Sequence, residues 1–249
     1  MELRILHLYH DLLNLYGEIG NVKILSKHLM EQSIQIAVES RTIGDDIEFS
    51  HYDFVYMGSG TERNQLVALN DLLQHRNELK DAIDNGLVML ATGNSFEIFG
   101  QYIRDTDGKT FEGLKLFDFY TERSKVRTSS DVIYSADFLD KNIIGFVNKM
   151  SMVYGINDYL FKVRFGIGSN EDNHGEGIRE NNFFGTYTIG PILVRNPHFM
   201  DYLSRLICHT ADSQFVFKDI RNENQYKAFE TAFFELSNRM ETNNKKVSP

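Results

Sequence analysis

The segment Leu87-Val88-Met89-Leu90-Ala91-Thr92-Gly93-Asn94-Ser95-Phe96-Glu97-Ile98-Phe99-Gly100 constrains this chain most. An apolar run stops at a Gly-Asn-Ser cluster and restarts with helix-like spacing. That pattern predicts a buried parallel strand turning sharply into a helix. In α/β proteins such a turn often lifts a nucleophile to the carboxyl edge of the sheet, where helix amides can hold a developing oxyanion. Here the apex is Gly93, which has no side chain to react. Glycine tolerates strained or positive-φ backbone most easily, so the turn by itself is equally a plain strand-to-helix connection.

The rest of the chain predicts the same α/β architecture. Strands are expected at Leu3–Tyr9, Ile34–Val38, Phe54–Met57 and 87–92, with helices from about Val22, over 63–84 and over 95–102. Val22, Leu25 and Leu29 give the first helix an apolar stripe, and Leu66, Leu69, Leu73 and Ile83 are expected on one side of the second. Short strands alternating with helices predict a parallel sheet covered on both faces. The second half carries more strand signals, at Val126–Ala136, Ile143–Asn148, Tyr159–Gly168 and Phe183–Ile189. Asn196-Pro197 opens a helix of about 12 residues. A last helix, about 222–240, aligns Tyr226, Phe229, Phe233, Leu236 and Met240 for docking on the body or on a partner, and Asn243–Pro249 is expected to fray.

Composition narrows the function classes. The 26 basic and 35 acidic side chains leave a net charge of −9, the wrong sign for a phosphate-tracking surface, so nucleic acid is not expected as a partner. No apolar run approaches the roughly 20 residues that span a bilayer. Met1-Glu2-Leu3-Arg4 leads straight into a strand without the pattern of a secretion signal, which sets the expectation of a cytoplasmic chain. One cysteine, Cys208, excludes an intrachain disulfide framework, and no Cys-x-x-Cys or His-Glu-x-x-His spacing suggests a metal. No cofactor is implied.

Candidate chemistry is sparse. Gly58-Ser59-Gly60 ends a strand, so its amides either face a ligand or form a tight turn; no Gly-Lys-Ser/Thr follows, so it is not a phosphate loop. Gly17-Glu18-Ile19-Gly20-Asn21 reads as a helix entry, and Gly166–Arg179 as a mobile polar hairpin or loop. His51 and His75 fall on polar surface, His174 in the polar loop, and His198 beside Pro197. His209 adjoins Cys208, but neighbours on a helix point about 100 degrees apart and make a poor dyad. Ser95 and Thr92 are the hydroxyls near the turn, without an identifiable base.

Several segments in order resemble the glutaminase subunits of bacterial lipid II isoglutaminyl synthases, a cobyric-acid-synthase-like branch of the triad-type glutamine amidotransferases. The opening Leu8–Asn21 is close to the family's signature. Gly58–Gln65 falls where the family has its glycine-rich oxyanion turn. Gly145-Phe146-Val147-Asn148 resembles its Gly-Phe-Glu-Asn-His, with Lys149 in place of histidine. Gly185-Thr186-Tyr187-Thr188-Ile189-Gly190-Pro191 resembles its Gly-Thr-Tyr-Leu-His-Gly-Pro, and Arg195-Asn196-Pro197 follows. The resemblance covers about residues 1–207. It implies a flavodoxin-like class I glutamine amidotransferase fold, mostly parallel with helices on both faces and extra strands in the second half. It also implies a domain over 1–210 and a C-terminal extension over 211–249.

The departures bear on function. The resemblance aligns Gly93 with the family's catalytic cysteine and Ile189 with its histidine, so neither catalytic position is intact. Losing one triad member removes several orders of magnitude of rate, and a second loss adds little because the members act as a unit. Ligand contact carries over to Arg127, with Arg123 four residues away, and to Gly58 and Asn94. The implied protein is a silent binding or regulatory subunit for glutamine or a related ligand, beside a Mur-ligase-like partner. The alternatives are relocated chemistry on Ser95, Glu97 or Cys208, and a purely structural interaction module.

Overall fold

The computed structural model describes residues 1–247, with side chains described through residue 240. Its first half contains β1 (Glu2–Leu8), α1 (Ile19–Glu31), β2 (Gln35–Arg41), β3 (Phe54–Met57), α2 (Glu62–Leu72), α3 (Arg76–Asp84) and β4 (Val88–Thr92). Next come β5 (Tyr102–Arg104), β6 (Thr110–Glu112), β7 (Tyr120–Ser135), β8 (Ile143–Tyr154), β9 (Phe161–Phe165) and β10 (Gly175–Glu176). The chain finishes with β11 (Ile178–Glu180), β12 (Phe183–Thr186), β13 (Thr188–Ile189), α4 (Ile192–Arg195), α5 (Pro197–Ala211) and α6 (Glu223–Val247).

A six-stranded sheet runs β2-β1-β3-β4-β12-β11, parallel except for β11. Every residue of β3 and β4 is buried, as expected of central parallel strands covered on both sides. The edge strand β2 has no buried residue and carries Glu39 and Arg41. The chain leaves β1 toward one edge through α1 and leaves β3 toward the other through α2 and α3. Right-handed crossovers therefore put these helices on opposite faces. The reversal of direction between β1 and β3 opens a crevice at their carboxyl ends, where ligands of such sheets bind.

The second sheet runs β10-β9-β7-β5-β6, with β8 pairing β7 and β13 pairing β8. Its spine is the long antiparallel pair β7–β8, whose register shifts between Arg123 and Thr128. The expected strand Phe183–Ile189 is two strands in two sheets. β12 lies parallel to β4, while Ile189 in β13 pairs Phe146 of β8. Tyr187 is the crossing point, and its side chain is buried.

Four other expectations need correction. The expected helix over 63–84 is broken by a 3₁₀ turn at Leu73–His75. Beyond it Glu78 accepts from the Phe49 amide (2.6 Å) and His75 meets the Phe49 ring edge-on, so α3 is anchored to a neighbouring turn. Leu72 and Leu79 are buried there, and Leu73 is exposed. The helix over 95–102 is a 3₁₀ turn at Gly93–Phe99 followed by β5. The carbonyls of Ile98, Phe99 and Gly100 are taken by the amides of Leu114, Leu116 and Lys115, so no further helical turn can claim them.

Gly166–Arg179 is only in part the expected polar hairpin: β10 pairs antiparallel with β9 and residues 171–174 are exposed at its tip, but Ser169, Asn170 and Glu176 in it are buried. Finally, α6 docks on the body, burying Phe229 with Ile133 and Ile144 in a cluster separate from the main core, with Phe233 and Leu236 packed against it. Residues 243–247 of the expected frayed tail continue this helix, while Ser248 and Pro249 lie outside the described residues. Among the described residues no helix is long and apolar enough to cross a membrane.

Candidate functional site

The loops after β1, β3 and β4 meet β7 and β8 around a cavity of about 300 Å³ at the carboxyl edge of the parallel sheet. Tyr16 comes from the first loop, Ser59–Glu62 from the second, and Asn94 and Glu97 from the third. The second sheet adds Arg123, Arg127, Asn148, Lys149 and Ser151. No cysteine or histidine lines it.

Gly93 is the apex of the third turn, with φ +64°, the left-handed geometry a reactive residue on such an elbow would have to adopt. A Cβ at Gly93 would lie 2.3 Å from Ser59 Cβ, 2.5 Å from Ser59 Oγ and 3.1 Å from Ile189 Cγ2. The sequence positions aligned with nucleophile and base therefore do converge in space, yet Ser59 and Ile189 fill the corner between them.

The turn after β3 is satisfied from within the protein. The Ser59 amide donates to the Glu18 carboxylate, which also accepts from Thr92 Oγ1 at 3.2 Å. Burial of Glu18 raises its pKa to about 7 against these hydrogen bonds. Asn94 Oδ1 accepts from the Gly60 amide at 3.1 Å, and its Nδ2 donates to the Gly60 carbonyl at 3.0 Å. Asn94 thus lines the cavity, but its carboxamide braces Gly60. Gly58 does not line the cavity. A Cβ there would sit 2.2 Å from the Leu13 carbonyl oxygen, so Gly58 lets two loops approach closely.

The floor of the cavity is the buried Glu97, which accepts from Gln65 Nε2 (2.7 Å), Tyr187 Oη (2.8 Å) and Ser151 Oγ. Burial pushes its pKa up, opposed by those three donors. Behind it Lys149 Nζ donates to the carbonyls of Gly168 and Ser169, each at 2.7 Å, and lies 4.5 Å from the centre of the Tyr187 ring. Burial lowers the ammonium to about 8, although Glu176 and Glu97 oppose the shift. Glu176, fully buried, accepts from Thr186 Oγ1 (2.7 Å) and the Tyr187 amide (2.6 Å), and burial raises it to about 7.

The two arginines differ. Arg123 is nearly buried and engaged, donating to Gln65 Oε1 at 2.9 Å and pairing with Asp105 at 3.1 Å. Arg127 stands at the irregularity of β7, the kind of break that re-aims a side chain. Its side chain is 50% exposed and contacts Asn148 Oδ1 and Met150 Sδ, both at 3.1 Å, with Glu62 at 3.9 Å. It is the cation with capacity left for a ligand carboxylate.

Ser95 and Cys208 are not placed for reaction. The buried Ser95 hydroxyl is directed at the carbonyls of Thr92 (2.9 Å) and Met57 (3.2 Å). Cys208 lies buried on α5, near the amino end of β3 rather than its carboxyl end, and burial pushes its thiol up to about 11. The side-chain hydrogen bonds of Ser95 and Glu97 involve no histidine. Among the described residues no cluster of His, Cys, Asp or Glu could hold a metal ion. Glu18, Ser59, Gln65, Ser151 and Tyr187 are the site residues that sequence reasoning did not assign. Ser59 and Tyr187 stood inside quoted motifs, and Glu18 inside Gly-Glu-Ile-Gly.

Residues 4–197 match the family described as the CobB/CobQ-like glutamine amidotransferase domain. The chain is 34% identical over 227 residues to the lipid II isoglutaminyl synthase (glutamine-hydrolyzing) subunit GatD of Staphylococcus aureus (strain N315), covering 91% of this chain and 93% of that protein. It is likewise 34% identical over 199 residues to the GatD subunit of Streptococcus pneumoniae (strain ATCC BAA-255 / R6), covering 78% and 76%. A crystal structure of a glutamine amidotransferase shares the fold, with a TM-score of 0.52 at 12% identity, over 81% of this chain and 98% of that one.

Proposed function

Because the chain belongs to the CobB/CobQ-like glutamine amidotransferase domain family, we propose that it is an amidotransferase-like subunit that does not hydrolyse glutamine. It serves as a binding or regulatory subunit in lipid II amidation. The observation that carries this reading is the elbow corner, where Gly93 presents no side chain and Ser59 and Ile189 occupy the space. Glutamine hydrolysis by this family's chemistry needs a thiolate to attack the amide carbon and an imidazole to move the proton to departing ammonia. Neither group lines the cavity. Two amides of the glycine-rich turn, those of Ser59 and Gly60, already donate to Glu18 and Asn94 and are unavailable to an oxyanion.

Binding survives in this reading because the opposite wall is open. Arg127 clamps the carboxylate of glutamine or a related amino acid, with Tyr16, Asn148 and Thr61 around it. The S. aureus and S. pneumoniae relatives are named as subunits of a synthase, which supports a partner subunit for this chain, and the family resemblance makes that partner Mur-ligase-like. Residues 211–249, which hold α6, form an extension beyond the amidotransferase-like domain.

Calorimetric titration with glutamine tests the ligand, and co-purification with a co-expressed Mur-ligase-like partner tests the assembly. Heat that saturates with glutamine and disappears in Arg127→Ala supports the reading. No heat from the unaltered chain makes the cavity a vestige and favours a purely structural module.

A further inference from the structure

Nothing in the family resemblance assigns a role to the Ser59 side chain. We infer that Ser59 is the residue that closes the nucleophile corner, so that Ser59 and Gly93 form an obligate pair in which only one can carry a side chain. This deepens the reading of the chain as a silent amidotransferase, adding that restoring a cysteine alone cannot rebuild the site.

The inference rests on which neighbour can give way. A Cβ on Gly93 would meet Ser59 Cβ at 2.3 Å and Ser59 Oγ at 2.5 Å. The hydroxyl can rotate aside, but the Cβ is one bond from the backbone and moves only with it. That backbone is held on both sides. The Ser59 amide donates to Glu18, its carbonyl accepts from the Leu15 amide at 3.0 Å, and the adjoining Gly60 is paired through both its amide and carbonyl to Asn94. Ile189 approaches only with Cγ2, at 3.1 Å, the far end of a side chain that yields by a few tenths of an ångström.

Removing the Ser59 side chain sacrifices little. Its hydroxyl makes one long hydrogen bond, 3.4 Å to Asn94 Oδ1, and the backbone contacts remain with glycine. The left-handed backbone at position 93 penalises any non-glycine residue, but equally with or without the Ser59 side chain. A double-mutant cycle therefore cancels that penalty and isolates the clash.

The experiment compares the full chain with Gly93→Ala, Ser59→Gly and the double variant by thermal unfolding. Gly93→Ala is expected to lower the midpoint by several degrees, and the double variant to lose clearly less than the sum of the two single losses. In parallel, Gly93→Cys with and without Ser59→Gly is treated with a chloroketone analogue of glutamine. Peptide mass locates the adduct, which separates position 93 from Cys208. Labelling at position 93 is expected to be about tenfold faster or more with Ser59→Gly, because the thiol then reaches the cleft without the Ser59 Cβ in its path, a contrast of the size neighbouring residues show when they couple. If Gly93→Cys alone does not fold, recovery by Ser59→Gly supports the pairing, and failure to recover overturns it. Additive losses of midpoint, or equal labelling in the two cysteine variants, also overturn it. Glutamine turnover by the unaltered chain would end the silent reading while leaving the cycle to judge Ser59 separately.

Discussion

The two walls of one cleft have diverged. On the elbow wall the polar groups pair within the protein: Ser59 with Glu18, Gly60 with Asn94, Thr92 with Glu18 and Tyr56. On the β7–β8 wall Arg127 stands half exposed, with neighbours that do not neutralise it well. A wall whose groups satisfy one another stabilises the fold, whereas a wall that leaves a cation under-paired keeps a site for an anion. In the proposed reading, catalysis and binding in this cleft are separable: the wall without reacting side chains is paired within itself, and the other wall stays open.

That separation predicts opposite responses to substitution. The largest effect is expected for Glu18→Ala, which strands the buried Ser59 amide, leaves the Thr92 hydroxyl with Tyr56 alone and lowers stability by about 2–4 kcal/mol. Chemical denaturation measures it, and a loss below about 1 kcal/mol would break the picture of a self-satisfied wall.

The next effect is a pH dependence. Glu18 and Glu176 are both raised to about 7 in the folded protein from an ordinary value of 4.5. The folded state then holds protons that the unfolded chain has released, so stability falls as pH rises from 4.5 to about 7 and levels off above. Glu18→Gln removes one of the two groups and should flatten that fall in midpoints recorded from pH 5 to 8. An unchanged slope would mean Glu18 is ionised in the folded state throughout.

On the open wall, Arg127→Ala should weaken glutamine binding about tenfold or more while shifting stability by less than about 0.5 kcal/mol. Calorimetry and thermal unfolding on the same samples separate the two quantities. The smallest effect on ligand chemistry is expected for Cys208→Ala. It should reduce stability by about 1 kcal/mol through lost packing and leave glutamine affinity unchanged, since the thiol is remote from the cleft. A changed affinity would reopen relocated chemistry.

The parallel sheet was legible because its central strands are continuous apolar runs bounded by glycine turns, as at Phe54–Met57 and Val88–Thr92. The elbow was legible for the same reason. Elements whose form depends on distant partners were not. The helix expected over 95–102 fails because residues 114–117 capture its carbonyls, and nothing local announces that. The Gly166–Arg179 run reads as solvated because it is polar, but Glu176 and Ser169 find buried partners in Tyr187 and Gly177. Within the site, the absence of a thiol at position 93 can be read from one letter. The filling of that vacancy by Ser59 is a contact between residues far apart in sequence, visible only when β3 and β4 lie side by side.

The most direct test of the central claim is the release of glutamate and ammonia from glutamine by the purified full chain, alone and with a co-expressed Mur-ligase-like protein. No turnover above the uncatalysed rate is expected in either case. Turnover at rates typical of glutaminases would contradict it, and its persistence in Ser95→Ala and Cys208→Ala variants would show that neither of those residues carries it.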